Sequence, residues 1–314
     1  MDESRCYLAV DGGNSKTEYR LLNADGAVVA TLRGGATNHE TLPGGVDEAC
    51  GRILAGAQQL LDAKGYSLSQ VQDAVLGLAG ADYDEEAEAL TASLKARGLA
   101  NCLVCNDGYL GVMAGIENGV GMCYSAGSGV TCAGMNAEGK QAQFGGIGVL
   151  SGDIGGGFDI VAFVYRSIYQ HLFFGRKFTS LKDGYFTLFD LHSPEEFLAS
   201  AARLQNEDTA KQLIGLFFTA LDTGDEIALQ YTAQSAAHAA DCIIAVSEAL
   251  ALEPTIHVAL SGSILTAVAP ASYRRMIEYE LLRRKGKIYQ LKVNNQAPVD
   301  GAVRWVRLRN GLAH

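Results

Sequence analysis

The pattern of apolar and polar positions in the first third of the chain predicts strands that alternate with helices. Residues 6–10 are apolar, which is typical of a buried strand, and the turn at residues 23–26 predicts a hairpin between the next two extended stretches. Predicted strands cover 6–10, 19–22, 27–32, 74–78 and 103–105, and predicted helices cover 46–64, 84–97 and 109–116. A meander followed by alternating helices and strands indicates an α/β unit with a mixed sheet.

The same pattern then starts again. Extended stretches are predicted on both sides of a Gly/Ser turn at residues 125–129, as they are around the first glycine turn. The interval from Gly12 to Asn23 equals the interval from Ser125 to Asn136, and similar Asn-Ala-acid-Gly turns follow. We interpret this as a weak internal repeat of one supersecondary unit. Two such units would each present a glycine turn to a shared cleft.

The remainder is predicted to be mainly helical. Helices are expected at 158–169, within 170–231, at 232–250 and at 298–312, with a strand at 256–260 and a helix followed by a strand over 281–291. No low-complexity linker separates the halves. We therefore predict one domain from residues 1–117 plus 296–314 and a second, with a helical insert, from residues 118–295.

Composition excludes some classes of function. The 314 residues are 48% hydrophobic and 19% charged, which is enough for two domains with their own cores. A net charge of −10 disfavours a nucleic-acid partner, because phosphate backbones require a basic surface. The start Met1-Asp2-Glu3, followed by a short apolar run, does not resemble a signal peptide, and no run is long enough to span a membrane. We expect a cytoplasmic protein.

The seven cysteines are an odd number scattered through apolar segments, as expected in a reducing compartment. Cys102 and Cys105 have CxxC spacing, but they lie in a predicted strand. Alternation along a strand places them on opposite faces, and no second pair or nearby His completes a metal site. We predict that they are structural.

The polar turn at residues 11–17 carries the first candidate chemistry. Gly12 and Gly13 let backbone amides approach a ligand closely, and the hydroxyls and Lys16 that follow are groups that hold phosphate. Asp11 ends a strand, where a carboxylate could orient a hydrated metal ion. The alternatives are an ordinary glycine-rich β-turn and an Asp that only stabilises it. The spacing is not that of a P-loop.

Four segments together resemble the BadF/BadG/BcrA/BcrD ATPase family, within the superfamily of sugar kinases, actin and heat-shock ATPases. Residues 11–17 resemble its first phosphate motif, 125–129 its second, 261–263 its adenosine motif and 297–302 its closing segment. The resemblance implies an α/β protein of two ribonuclease-H-like (actin-like ATPase) domains. These domains would close over ATP, Mg²⁺ and an acceptor in an interdomain cleft.

The resemblance also implies roles for particular residues. Those expected to bind ATP are Gly12, Gly13, Asn14, Ser15, Lys16, Gly127, Ser128, Gly262 and Ser263. Those expected to bind the substrate are Asn38, His39, Asp107, Gly145, Gly146 and Asp153, with Asp107 as the catalytic acid and Asp11 holding Mg²⁺ through water.

Each assignment has a structural alternative. Asp107 could be a plain helix N-cap, although we expect the helix N-terminus to keep it ionised as a base. Asp153 could cap a helix, Lys16 could point to solvent and His39 could be a packing residue. Gly262 could serve only the turn.

The acceptor remains open at this stage. Ile147 and Val149 stand where the mammalian enzyme type has Trp and His, Ile154 replaces an acidic residue, and Gly129 replaces an Asn. We expect an ATP-dependent kinase that converts N-acetylglucosamine to its 6-phosphate, with glucosamine or N-acetylmuramic acid as alternative acceptors. A homodimer is expected.

Two other classes of protein are alternatives to a sugar kinase. One is the ATPase activator of 2-hydroxyacyl-CoA dehydratases, which needs cysteines at a dimer interface to hold an iron–sulfur cluster. The other is a protein that binds ATP without turnover.

Overall fold

A computed structural model describes residues 5–312, so the Met1-Asp2-Glu3 start discussed above lies outside the described residues. The chain separates into two compact units. The first is Met1–Val120 together with Asn295–His314, and the second is Gly121–Asn294.

The described residues form ten strands and ten α-helices. The strands are β1 (Cys6–Gly12), β2 (Thr17–Asn23), β3 (Val28–Gly34), β4 (Val71–Leu78), β5 (Cys102–Cys105), β6 (Gly121–Ala126), β7 (Val130–Met135), β8 (Gln141–Gly145), β9 (Ile256–Ser261) and β10 (Tyr289–Val293). The helices are α1 (Gly45–Asp62), α2 (Asp84–Ala96), α3 (Gly108–Gly115), α4 (Gly157–Phe174), α5 (Ser180–Phe189), α6 (Pro194–Ala199), α7 (Glu207–Asp222), α8 (Glu226–Ala249), α9 (Ala271–Lys285) and α10 (Pro298–Asn310). None of the helices in this described range is long and apolar enough to cross a membrane.

The two units contain the same sheet. In the first unit the strand order is β3-β2-β1-β4-β5, with β2 antiparallel and β4 parallel to β1. In the second unit the order read from its other end is β8-β7-β6-β9-β10, with β7 antiparallel and β9 parallel to β6. This match confirms the internal repeat. Strand β8 was not predicted, because Gln141 and Gln143 break its apolar pattern.

Helices cover both faces of the first sheet. On one face α1 and α2 bury residues such as Ile53 and Leu94, and on the other α3 and α10 bury Leu110 and Val306. Cys102 packs with the first of these cores and Cys105 lies in the second, as strand alternation predicted. All seven cysteines are free, and the described residues contain no cluster of three or more side chains that could hold a metal ion.

The second unit has one continuous core. Residues from α4 to α9 join the sheet in it, which confirms the predicted helical character of residues 170–231. The region contains α5, α6 and α7, and α6 begins at Pro194.

Close packing of α10 on α3 gives a test of the core that these two helices form with the first sheet. A Cβ at Gly301 would overlap the carbonyl oxygen of Leu110, whereas a Cβ at Gly51, in α1, would meet no atom within 4 Å. We expect Gly301→Ala to lower the free energy of unfolding by about 1–3 kcal/mol, the usual cost of overpacking. Gly51→Ala should raise it by about 0.5–1 kcal/mol, because Ala is the better helix former. Urea denaturation measures both, and equal effects would contradict the packing of the two helices.

Candidate active site

Three aspartates lie at one edge of the first sheet. Strands β1, β4 and β5 are parallel, so their carboxyl ends share that edge. Asp11 is near the end of β1, Asp82 follows β4, and Asp107 follows β5 directly before α3. We call these three residues the acidic edge.

The carboxyls of the acidic edge are harder to ionise than ordinary ones. The pKa of Asp11 is raised to about 7, mostly by burial and also by the charges of Asp107 and Glu18. The pKa of Asp107 is raised to about 6, mostly by burial and also by the charge of Asp82. A carboxyl with a pKa near neutrality suits general-base catalysis.

The start of α3 corrects one expectation about Asp107. Asp107 occupies the N-cap position, but its side chain makes no capping hydrogen bond, and the Gly108 N–H donates to Asn106 Oδ1 (2.7 Å) instead. Neighbouring backbone amides lower the pKa of Asp107 by less than burial and Asp82 raise it. The helix N-terminus was expected to keep Asp107 ionised; its amides do favour the ionised form, but burial and Asp82 outweigh them and raise the pKa.

Sequence reasoning did not select two residues of this region, Asn106 and Asp82. Asn106 Nδ2 donates to Asp82 Oδ1, so Asn106 links the ends of β4 and β5 while its own Oδ1 receives the first amide of α3. The only available signal was position, because Asn106 directly follows one predicted strand and Asp82 lies four residues after another.

The β1–β2 turn packs closely against the next loop. Gly13 N–H donates to Lys16 O (2.9 Å) and closes the turn. A Cβ at Gly12 would lie 2.5 Å from Thr37 Oγ1, so this glycine permits the approach of the loop. Asn14, Ser15 and Lys16 are exposed. Lys16 Nζ is 2.6 Å from Glu18 Oε1, so its cation has a carboxylate partner here.

Asn38 and His39 lie beside that turn. Asn38 is buried, donates from Nδ2 to Asn14 Oδ1 (2.6 Å) and accepts at Oδ1 from the Glu40 N–H (2.9 Å). His39 Nε2 is 3.9 Å from Glu86 Oε1, and its buried Nδ1 has no hydrogen-bond partner among the described residues. The structure thus brings Asn38 and His39 to the side of the sheet that carries the first glycine turn.

In the second unit the β6–β7 turn supports the start of α4. The turn is shorter than predicted, since Ser125 and Ala126 belong to β6. The Gly157 N–H donates to Gly127 O (2.8 Å) and the Phe158 N–H donates to Ser128 O (3.0 Å). The predicted phosphate turn and the amino end of α4 are therefore in contact.

The 261–263 turn lies against the same strand. Ser261 pairs with Ser125 in the parallel ladder between β9 and β6. Gly262 has φ +83°, and a Cβ there would overlap the backbone of Ala126. Ser263 follows directly and precedes one π-helical turn, Ile264–Val268. The structure thus brings Gly262 and Ser263 next to the strand that leads to Gly127 and Ser128.

The third group of predicted residues is the loop after β8. Asp153 Oδ2 accepts hydrogen bonds from the N–H groups of Gly146 (2.7 Å) and Gly148 (2.9 Å). The alternative that Asp153 caps a helix is wrong, because α4 begins at Gly157 and Asp153 binds loop amides instead. A Cβ at Gly145 would lie 3.3 Å from Val130 O, next to the β6–β7 turn. The predicted acceptor loop and phosphate turn of this unit are therefore neighbours.

Several solved structures with this fold are named as sugar kinases, and another is a transcriptional regulator of the ROK family. The chain aligns over 96% of its length with 98% of a protein from Chromobacterium violaceum proposed to be an N-acetylglucosamine kinase, at 21% identity and a TM-score of 0.68. A protein from Porphyromonas gingivalis with the same proposed activity covers 97% of this chain and 99% of its own at 15% identity and a TM-score of 0.66. A glucokinase of the ROK family from Streptomyces griseus, solved with glucose and AMPPNP, has 16% identity and a TM-score of 0.58, covering 98% of this chain and 100% of its own. The chain thus has the two-sheet, actin-like ATPase fold of sugar kinases.

Residues 8–306 match the BadF/BadG/BcrA/BcrD ATPase family, and the chain belongs to that family. An N-acetylmuramic acid/N-acetylglucosamine kinase from Clostridium acetobutylicum is 32% identical over 158 residues, which are 49% of this chain and 50% of that protein. The match to this relative thus spans half of its length. An N-acetyl-D-glucosamine kinase from Dictyostelium discoideum is 24% identical over 79% of this chain and 81% of its own.

Proposed function

We propose that the protein is an ATP-dependent kinase of an amino sugar, with N-acetylglucosamine converted to its 6-phosphate. The observation that carries the proposal is Asp107, a half-buried carboxyl with a pKa of about 6 at a strand end beside a second carboxyl, Asp11. Family membership and the activities named for the two curated relatives support the same reaction.

Asp107 is proposed to accept the proton of the sugar hydroxyl as its oxygen attacks the γ-phosphorus of ATP. The P–O bond to the leaving ADP breaks as the new one forms, so the carboxylate gains the proton and ADP takes the electron pair. Phosphoryl transfer of this kind depends mainly on positioning and charge neutralisation. A base whose pKa lies near neutral pH remains ionised while still attracting the proton.

The two glycine turns are proposed to hold the nucleotide. Glycines at positions 12–13 and 127 leave the backbone open to phosphate oxygens, while Ser15 and Ser128 add hydroxyl donors. Gly262 and Ser263 would receive the adenosine. The second turn lies against the amino end of α4, whose dipole favours an anion nearby, although the Gly157 and Phe158 N–H groups donate to Gly127 O and Ser128 O and would not themselves bind it.

Asp11 fits a water-mediated Mg²⁺ site. Its half-buried carboxyl lies near the carboxylates of Asp107 and Glu18, whose negative charges raise its pKa. A divalent cation would offset those charges. When bound, Mg²⁺ neutralises charge on the phosphate oxygens. Asp11 would orient the metal-bound water, and Asp107 would be left free for the acceptor.

The acceptor is proposed to contact Asn38, His39, Asp107, Gly145, Gly146 and Asp153. Asn38 Nδ2 donates to Asn14 Oδ1 and to Glu40 Oε2 (3.4 Å), and its Oδ1 accepts from the Glu40 N–H, so Asn38 would accept from a sugar hydroxyl at the remaining Oδ1 lone pair. Glucosamine and N-acetylmuramic acid are kept as alternative acceptors. The Clostridium relative is named for both N-acetylated sugars.

The cysteines do not favour the dehydratase-activator alternative. Six of the seven are buried and Cys102 is only partly exposed, so none is presented on the surface to bridge two subunits. An iron–sulfur cluster would colour the purified protein brown, and its visible absorbance would overturn the kinase proposal in favour of the activator.

We further propose a cytoplasmic homodimer with domains at residues 1–117 plus 296–314 and 118–295. The two compact units support the domain division. Light scattering on the purified protein tests the dimer.

A coupled assay for ADP across a panel of hexosamines tests the function. N-Acetylglucosamine should raise turnover above basal ATP hydrolysis in the presence of Mg²⁺, and phosphorus NMR should place the new ester at the 6-hydroxyl. If no hexosamine raises turnover, the kinase proposal is wrong and ATP binding without transfer becomes the better account.

The pKa of Asp107 predicts the acid side of the pH profile. Because the base must be deprotonated, kcat/KM for the acceptor should fall about tenfold per pH unit below about pH 6. Asp82→Asn removes a charge that raises this pKa, so the fall should move to lower pH. Asp84→Asn, a change in an exposed residue nearby, should leave it in place. Identical profiles for both variants would contradict the coupling.

A further inference from the structure

One face of α8 supports the loop from Gly145 to Gly155. Tyr231, Ser235 and His238 are spaced by four and three residues, so they lie on the same side of the helix. We call these three residues the α8 polar face. The Gly155 N–H donates to Tyr231 Oη (3.1 Å), and a Cβ at Gly155 would overlap Ser235 Oγ. The end of the loop is therefore fixed to α8.

His238 reaches the middle of the same loop. Its Nε2 lies 3.6 Å from Asp153 Oδ1, and the Asp153 side chain is only 5% exposed. Asp153 Oδ2 already holds the N–H groups of Gly146 and Gly148, whereas Oδ1 has no hydrogen-bond partner within the described range. A buried carboxylate needs compensation on both oxygens, and the imidazole lies within ion-pair distance of the second one.

Two other polar groups lie nearby. Thr131 lies near Gly146, and its buried Oγ1 has no partner among residues 5–312, but it is a neutral donor. Cys242 Sγ makes a 3.6 Å hydrogen bond with His238 Nε2, and burial raises the pKa of this thiol to about 11, so it stays an uncharged, weak acceptor at neutral pH. Asp153 is therefore the charged group that faces His238 Nε2.

We propose that His238 is a positioning residue that donates from Nε2 to Asp153 Oδ1 and so holds the acceptor loop in its binding conformation. With Oδ1 fixed, the carboxylate cannot rotate away, and Oδ2 keeps the amides of Gly146 and Gly148 in place. The proposal rests on the proposed function and extends it, because it makes α8 responsible for ordering the loop that would bind the sugar.

Hydrogen exchange tests the positioning without any substrate. In His238→Leu the amides of the loop peptide 145–153 should exchange about tenfold faster, because the hydrogen bonds to Asp153 open more often. His238→Gln, whose side-chain amide can still donate, should stay close to the wild-type rate. His257→Leu, at an exposed histidine of the same unit, is the matched control. Unchanged exchange in both His238 variants would overturn the proposal.

Kinetics then link the loop to the acceptor. His238→Leu should raise KM for the amino sugar about tenfold while KM for ATP and kcat change less than twofold. An equal rise in both KM values would overturn the specific role. If no hexosamine is phosphorylated by the wild-type protein, the proposed function fails, yet the exchange measurement still decides whether His238 orders the loop.

Discussion

Asp107→Asn is expected to lower kcat for sugar phosphorylation by about 10²- to 10⁴-fold, the usual contribution of a positioned general base. Asn has nearly the same shape but cannot accept the proton of the attacking hydroxyl. Because the half-buried carboxyl of Asp107 has a pKa of about 6, the wild-type base is mostly ionised at pH 7.5. The substitution also removes one charge that raises the pKa of Asp11, so Mg²⁺ and ATP binding should not weaken.

The control for this variant is Asp25→Asn, the same chemical change in the exposed β2–β3 turn. It should leave kcat within twofold. Binding of a non-hydrolysable ATP analogue, measured by calorimetry, should be similar in all three proteins. Full activity in Asp107→Asn would refute its role as the base, and a loss of folding in that variant would show as an altered melting curve.

The fold could be predicted because its signals are local. Helix α1 repeats apolar residues at helical spacing and stops near Gly65, and the structure places its end at Asp62. The two Asn-Ala-acid-Gly turns occupy corresponding positions in two sheets with the same strand order. Strand β8 escaped prediction because edge strands bury little and so carry little apolar pattern.

The properties of the site depend on contacts between distant parts of the chain. Residue types and strand ends were enough to select Asp11 and Asp107. Their raised pKa values come from burial and from neighbouring carboxylates, including Asp82, which no spacing rule connects to Asp107. Similarly, the sequence selected Asp153, but its contact with His238 requires a helix some eighty residues later to pack on the loop.

Gly262→Ala is expected to weaken ATP binding about tenfold or more. The residue has φ +83°, where any side chain is strained, and its Cβ would also overlap the backbone of Ala126. The strain costs about 1–2 kcal/mol, and relief of the overlap must shift either the 261–263 turn or the end of β6. Both elements lead to residues proposed to hold the nucleotide.

Gly139→Ala separates the effect of backbone strain from the effect of the overlap with Ala126. Gly139 lies in the β7–β8 turn with φ +78°, but an added Cβ would meet no atom within 4 Å. It therefore shares the backbone strain of Gly262→Ala and lacks the overlap. Calorimetric titration with an ATP analogue should give a near wild-type Kd for Gly139→Ala and a raised Kd for Gly262→Ala at comparable thermal stability. Since the overlap acts through β6, which leads to Gly127 and Ser128, such a difference would attribute nucleotide affinity to the close approach of the 261–263 turn and the β6–β7 turn. Equal affinities would mean that Gly262 serves the turn alone.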